Sequence, residues 1–235
     1  MSIFKYNSRK PGPGVSRDAP PARGLRLFFQ VFFREFFSLV KVNFLFYLFC
    51  LPVVTIPAAY CALTRIAVSM VRDQPVFLWN EFWGAFRSEF KRATAAGFLL
   101  GLGFVLSIAG AWYFESLSEH HDMIWLMCAV FIAGAVLLVF MGFSLFPMIS
   151  LVNISLAKAF KNACLLVSVS FFRYILAAYV CVMLVVLVIL LYPVSLAPLF
   201  LLYPSLMCLI TVFSSYGGIS KYVLQENQAG NVGEE

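Results

Sequence analysis

Arg65 is the residue of this chain whose chemistry is least expected from its surroundings. It lies within the run Ala-Leu-Thr-Arg-Ile-Ala-Val, which is otherwise apolar. A guanidinium in such a run usually pairs with another group or faces a water-filled path. Because Arg72 lies only about 10 Å of helix rise away, the long side chain of Arg65 could also extend to the polar surface. A structural role, by such extension or by pairing with Asp73, Glu81 or Glu89, and a functional role are both open.

The other groups that could do chemistry form no catalytic pattern. The two histidines, His120 and His121, are adjacent in an acidic loop, where they could sense pH or bind a cation, or lie in a simply solvated loop. The sequence contains no Ser/His/Asp arrangement, no Gly-x-Ser-x-Gly and no phosphate-binding Gly-rich loop. The six cysteines are scattered singly, without a Cys-x-x-Cys pair. We therefore expect no catalytic residues, no metal site, no cofactor and no enzymatic activity.

The composition indicates an integral membrane protein. Of 235 residues, 62% are hydrophobic and 12% are charged, whereas about 25% are charged in a soluble domain. The lipid bilayer is the solvent in which so much apolar surface is stable. The net charge of +6 does not indicate nucleic-acid binding, because eight of the 17 Lys and Arg residues fall within the first 41 positions and most others lie in short loops.

The apolar segments predict an all-α, polytopic transmembrane helical bundle of about six spans. Pro52 and Pro57 bracket the turn between the first two, which are short for a membrane crossing of roughly 20 residues. A re-entrant hairpin there, leaving four full spans, is the alternative. The six predicted spans cover residues 42–56, 57–71, 93–114, 123–146, 174–192 and 199–216, the fourth ending at Pro147.

Two amphipathic segments predict interfacial helices beside the bundle. In the first, residues 25–41, paired phenylalanines recur every four residues opposite Arg26 and Arg34. The start of a long first span is the alternative for this segment. In the second, within residues 72–92, aromatic residues lie on one helical face, which would lie at the interface or dock against the bundle. These aromatic residues are Trp79, Phe82, Trp83, Phe86 and Phe90.

The distribution of positive charge predicts the topology. The loops at 52–57, 115–122 and 193–198 contain no Lys or Arg, as expected of loops outside the cytoplasm. We therefore expect both termini in the cytoplasm. The expected organisation is a disordered basic tail at 1–24, a transmembrane helical domain at 25–220 and a short tail at 221–235.

Two further features suggest contacts rather than chemistry. Gly97 and Gly101 form a Gly-x-x-x-Gly pattern in the third span, which typically lets two membrane helices approach closely. Lys158 and Lys161 lie in a half-polar segment, either as ordinary positive residues of a cytoplasmic loop or as a docking point for a partner subunit.

Several stretches of the chain resemble the YesL-like family of bacterial membrane proteins. The more specific resemblance is the first, Val-Asn-Phe-Leu-Phe at 42–46 followed by Leu-Pro-Val-Val-Thr-Ile-Pro-Ala at 51–58. Looser resemblances lie at 82–92, 161–166 and 172–174. Together they extend over about residues 25–220, and the Pro/Gly/Arg-rich leader departs from the family pattern.

The resemblance implies a function but no catalytic residues, because the family's biochemical activity is not established. Its members are commonly encoded beside carbohydrate ABC uptake systems, which implies an accessory membrane subunit that packs against permease subunits. The chain lacks the loop by which importer permeases engage their ATPase. A small independent transporter, in which homo-oligomers would be allowed, is the alternative. The candidate functional or partner-contact residues are Arg65, Asn43, Pro52, Pro57, Trp83, Phe86, Lys158 and Lys161.

Overall fold

The computed structural model describes residues 25–74, 76–116, 122–152, 154–191 and 196–219. The expected tails at 1–24 and 221–235 and the histidine pair lie outside these ranges. Within them the chain forms helices and no strand, which confirms the all-α fold class. The helices are α1 (Leu25–Arg34), α2 (Phe36–Phe49), α3 (Ile56–Val71), α4 (Leu78–Ser116), α5 (Asp122–Leu151), α6 (Leu156–Val169), α7 (Phe171–Leu190) and α8 (Leu196–Gly218), with a 3-10 turn at Val53–Thr55.

All six predicted apolar segments contain helices. Four helical segments are long and apolar enough to cross a membrane, by length and composition: Val53–Val71, Leu78–Ser116, Ile124–Leu151 and Phe171–Leu190. Two shorter apolar helices, Phe36–Phe49 and Leu202–Gly217, account for the rest. A polytopic helical bundle is therefore the architecture of the described chain.

The first amphipathic segment differs from the single helix predicted over 25–41. It bends at Glu35, and the backbone N–H groups of Glu35 and Leu39 still donate helically, to Val31 and Glu35. The segment therefore continues into α2, in agreement with the alternative prediction that it starts a long first span. Its phenylalanines form two rows: Phe28, Phe32 and Phe36 are partly buried, whereas Phe29, Phe33 and Phe37 are exposed.

The second amphipathic segment is not a separate helix. It continues without a break into the third predicted span as α4, which has 39 residues and contains no proline. The inner face of its first half docks against the bundle, because Phe82 and Ala85 are buried there. Burial along α4 ends at Leu100, so its second half packs mainly against α5 and otherwise exposes apolar side chains.

The prediction that the fourth span ends at Pro147 was wrong. Helix α5 continues through Pro147 to Leu151. A proline inside a helix leaves the carbonyl four residues earlier without its usual donor, and that carbonyl belongs to Phe143. The hydroxyl of Ser215, from α8, donates to it at 2.8 Å. A polar side chain from a neighbouring helix thus lets α5 pass through the proline.

Helix α3 lies at the centre of the packing. Its buried residues belong to two clusters, one shared with α2, α8 and the first half of α4, the other with α5 and α6. Helix α7 packs chiefly against α8 and has only two buried residues, Tyr174 and Ala177. The candidate residues therefore lie mostly around α3.

Candidate functional site

The start of α3 makes a close contact with α4 through two predicted residues. Pro57 lies in the first turn of α3, where a missing N–H costs nothing. Its ring lies so close to Gly97 that a Cβ added there would overlap it. Gly101 is exposed, with open space where a Cβ would be. Within the chain, therefore, Gly97 makes the close helix approach expected of the Gly-x-x-x-Gly pattern, and Gly101 does not.

Arg65 extends from α3 to the end of α5. Its Nη1 donates to the backbone carbonyl of Ser150 at 3.1 Å, and the side chain is exposed. The last carbonyls of a helix have no partner within the helix and carry partial negative charge. Arg65 therefore caps α5, which supports the structural role considered above, although none of the proposed carboxylates is its partner.

Arg92 of α4 also contacts the chain at the end of α5. It donates to the carbonyl of Ile154, just beyond α5, and forms an ion pair with Glu89 at 2.9 Å. Two arginines from different helices therefore fix the end of α5, at the point where α3, α4 and α5 meet.

The end of α3 is held by a third arginine. Arg34, at the end of α1, donates to the carbonyl of Met70 at 3.1 Å and pairs with Asp73 at 2.6 Å. Asp73 has a positive φ of 56°, a conformation that Asp tolerates better than most residues. Arg72 donates to the hydroxyl of Tyr216 at 2.9 Å. Asp73 and Glu89, proposed as partners of Arg65, are thus paired with other arginines.

Asn43 is buried where α2 crosses α8. Its Oδ1 accepts a hydrogen bond of 2.9 Å from the backbone N–H of Ser205, the residue that follows Pro204 in α8. The hydroxyl of Ser205 lies 2.5 Å from the same oxygen and 2.9 Å from the carbonyl of Leu39. A proline disturbs the helical hydrogen bonds around it. Asn43 supplies an acceptor for the backbone N–H of Ser205, directly after Pro204.

The remaining candidate residues lie on the surface. Pro52 begins the exposed turn, where the Thr55 hydroxyl contacts the carbonyls of Phe49 and Pro52. Trp83 and Phe86 stack at 5.9 Å, and both contact the ring of Phe49 at the end of α2. Lys158 and Lys161 are exposed on α6 and lie apart from the other candidates.

These contacts hold helices together within the residues that the structure describes. Among these residues, no three His, Cys, Asp or Glu side chains are placed to hold a metal ion, and the six cysteines are free thiols. The sequence did not predict that four further residues hold helices together, namely Arg34, Arg92, Ser205 and Ser215. Prolines within apolar segments were the available signal for the two serines, because each proline requires polar compensation nearby.

Comparison with known proteins finds similarity to one family over part of the chain. Residues 39–110 match a family described as a protein of unknown function, DUF624. This range contains α3, Asn43, Arg65 and the Pro57–Gly97 contact, whereas the partners of Asn43 and Arg65 lie outside it. No curated protein and no solved structure matches the chain significantly. Over less than a third of its length, the chain is therefore similar to an uncharacterised protein family.

Proposed function

We propose that this chain is a non-enzymatic accessory subunit of a carbohydrate ABC import system in the bacterial cell membrane. The match to an uncharacterised family at 39–110 is consistent with the YesL-like resemblance, and that resemblance supplies the association with sugar import. The proposed partners are the permease subunits of the importer, bound within the lipid bilayer.

One observation supports the proposal, namely that some apolar helices are largely buried within the chain whereas α7 is largely exposed. Helix α7 presents a nearly continuous set of large exposed apolar side chains, including Leu176, Tyr179 and Met183. It has 20 residues and packs chiefly against α8. This face is therefore available for helices of a permease, while the polar and charged contacts around α3 keep the rest of the chain in one arrangement.

The proposed topology has both termini in the cytoplasm and a re-entrant hairpin formed by α2 and α3. Helix α2 has 14 residues, or about 21 Å of rise, less than the roughly 30 Å of a bilayer core. Pro57 contacts Gly97 of α4. Along α4, Gly97 lies about 8 Å beyond Arg92, whereas the far end of the helix at Ser116 is about 28 Å away. Both observations support a turn that stays near the cytoplasmic side.

Co-purification from native membranes tests the proposal. A tagged chain should retain permease subunits in detergent and in nanodiscs when the cells grow on the imported glycan. A triple alanine variant of Leu176, Tyr179 and Met183 should lose them while keeping its melting temperature. The matched control replaces three exposed α5 residues, Val130, Ile132 and Val136, with alanine, and should retain them.

Failure to retain permease subunits under any of these conditions would overturn the proposal. Sugar flux into proteoliposomes that contain the purified chain alone would instead establish an independent transporter. In that case, loss of flux in Arg65→Ala would place Arg65 on the transport path. The oligomeric state of the purified chain in nanodiscs would show whether such a transporter acts as a homo-oligomer.

A further inference from the structure

The exposed side of α4 carries a groove that combines aromatic rings with positive charge. The groove has a volume of about 610 Å³. Two of its aromatic side chains, Phe86 and Phe90, also pack against the hydrophobic core. Its lining residues are Trp83, Phe86, Arg87, Ser88, Phe90, Lys91 and Arg92.

Two of its cations have no carboxylate partner in the part of the chain that the structure describes. Arg87 and Lys91 are exposed and lie one helical turn apart, and the described ion pairs involve only Arg34 and Arg92. Like charges at this spacing destabilise a helix. A bound anion would relieve their repulsion, and none of the described residues that line the groove is acidic.

The groove lies where the charged part of α4 meets its apolar part. No charged residue lies between Arg92 and Glu115 of α4, and this apolar segment begins at Ala93. Tryptophan and basic residues are typical of this boundary in membrane helices. On the same helical face, about two and three turns beyond Lys91, Phe98 and Leu102 are exposed. A phosphate at Arg87 and Lys91 would therefore leave an acyl chain lying along apolar side chains.

We infer that this groove binds the phosphate of an anionic phospholipid, with Arg87 and Lys91 contacting the headgroup and the α4 face beyond them contacting the acyl chains. The exposed apolar side chains beyond Lys91 favour a lipid over an acidic peptide, because an acidic peptide would need only the positive charges. Arg92 is held by Glu89 and the Ile154 carbonyl, so a headgroup bound here would rest against the contacts that fix the end of α5. The site does not depend on an association with an importer.

Native mass spectrometry with defined lipids tests the site. The full chain should bind phosphatidylglycerol more tightly than phosphatidylcholine. The double variant Arg87→Gln, Lys91→Gln should weaken phosphatidylglycerol binding about tenfold or more, because both side chains would contact the phosphate through charge-assisted hydrogen bonds. Its binding of phosphatidylcholine should be unchanged. Lys158→Gln with Lys161→Gln removes the same charge from α6 and should leave both lipids unaffected.

Several outcomes would overturn the inference. Equal losses for both lipids, equal losses in the α6 control, or no loss in the α4 variant would each exclude a headgroup site at Arg87 and Lys91. Glycerol phosphate binding as tightly as the lipid would show a site for a free phosphate ester. Displacement of the lipid by an acidic peptide, at an affinity above that of the lipid, would make the groove a protein-docking site.

Discussion

Helices α3 and α7 are both apolar and similar in length, yet they are used in opposite ways. Helix α3 has 16 residues and α7 has 20. In the most apolar stretch of Val53–Val71, which contains α3, 56% of the residues are buried. In the most apolar stretch of α7 only 11% are buried, although α7 is the more apolar of the two. In a bilayer, hydrophobicity places a helix in lipid but does not select which helix becomes central.

Side-chain size and polarity account for the difference. The buried positions of α3 include many small residues, among them Ala58, Ala59 and Ala62, which let neighbouring backbones approach closely. Helix α7 carries large aliphatic side chains, for which lipid is as good a solvent as protein. Hydrogen bonds of Arg34, Arg65 and Arg72 then hold α3 and its end against neighbouring helices. The comparison predicts that stability is concentrated around α3.

The largest effect is expected at the contact between Pro57 and Gly97. Gly97→Leu would force a bulky side chain into the ring of Pro57, and overpacking of this kind costs about 3 kcal/mol at the upper end of its usual range. Gly101→Leu, where the space is open, should leave stability unchanged or slightly raised by helix propensity. Thermal unfolding in detergent, followed by circular dichroism, compares them. Equal melting temperatures would refute the close contact.

A matched pair of leucines tests burial directly. Leu63 of α3 is 2% exposed and Leu187 of α7 is 51% exposed. Leu63→Ala should cost about 2 kcal/mol, the low end for buried leucines, because lost packing and not transfer from water dominates in lipid. Leu187→Ala should change stability by less than about 0.5 kcal/mol. If reversible unfolding in mixed micelles gave similar losses, α7 would be packed against something in the purified protein.

The number and type of the apolar segments were readable from the sequence, because hydropathy and helix periodicity are local properties. Which segments are central was not, because α3 and α7 differ in their neighbours, and neighbours are not encoded locally. The Pro57–Gly97 contact shows the limit. Both residues were singled out, one as a turn and one as a packing residue, but nothing in the spacing of the chain paired them.

The third expected effect concerns Asn43 and the proline in α8. Asn43→Leu removes the acceptor of the Ser205 N–H, and hydrogen bonds between membrane helices contribute about 0.6 to 1.7 kcal/mol. Asn43→Asp keeps an acceptor at the same place and should recover part of that loss. Melting temperatures of the two variants in the same detergent provide the measurement. A leucine variant as stable as the parent would mean that Ser205 finds another acceptor.

The charged contacts could be anticipated only in part. Arg65 stood out because an apolar run surrounds it, but its acceptor is a backbone carbonyl at the end of α5, and sequence patterns do not identify backbone acceptors across helices. Arg34 and Arg92 were interpreted as parts of polar helix faces, since charge in amphipathic segments is common. Their roles follow from where the ends of α3 and α5 lie, which depends on the whole fold.

The smallest expected effect is at Arg65, because its side chain is exposed and water can replace part of its contact with Ser150. Arg65→Gln removes the positive charge at the end of α5 and should cost about 0.5 kcal/mol, whereas Arg65→Lys keeps the charge and should cost less. The comparison separates the two roles considered for this residue. If Arg65→Gln lowers the melting temperature slightly and leaves sugar uptake by cells unchanged, Arg65 is a helix cap. If uptake fails while stability is unchanged in both variants, the guanidinium acts on a substrate or a partner, and α3 is then central to function as well as to packing.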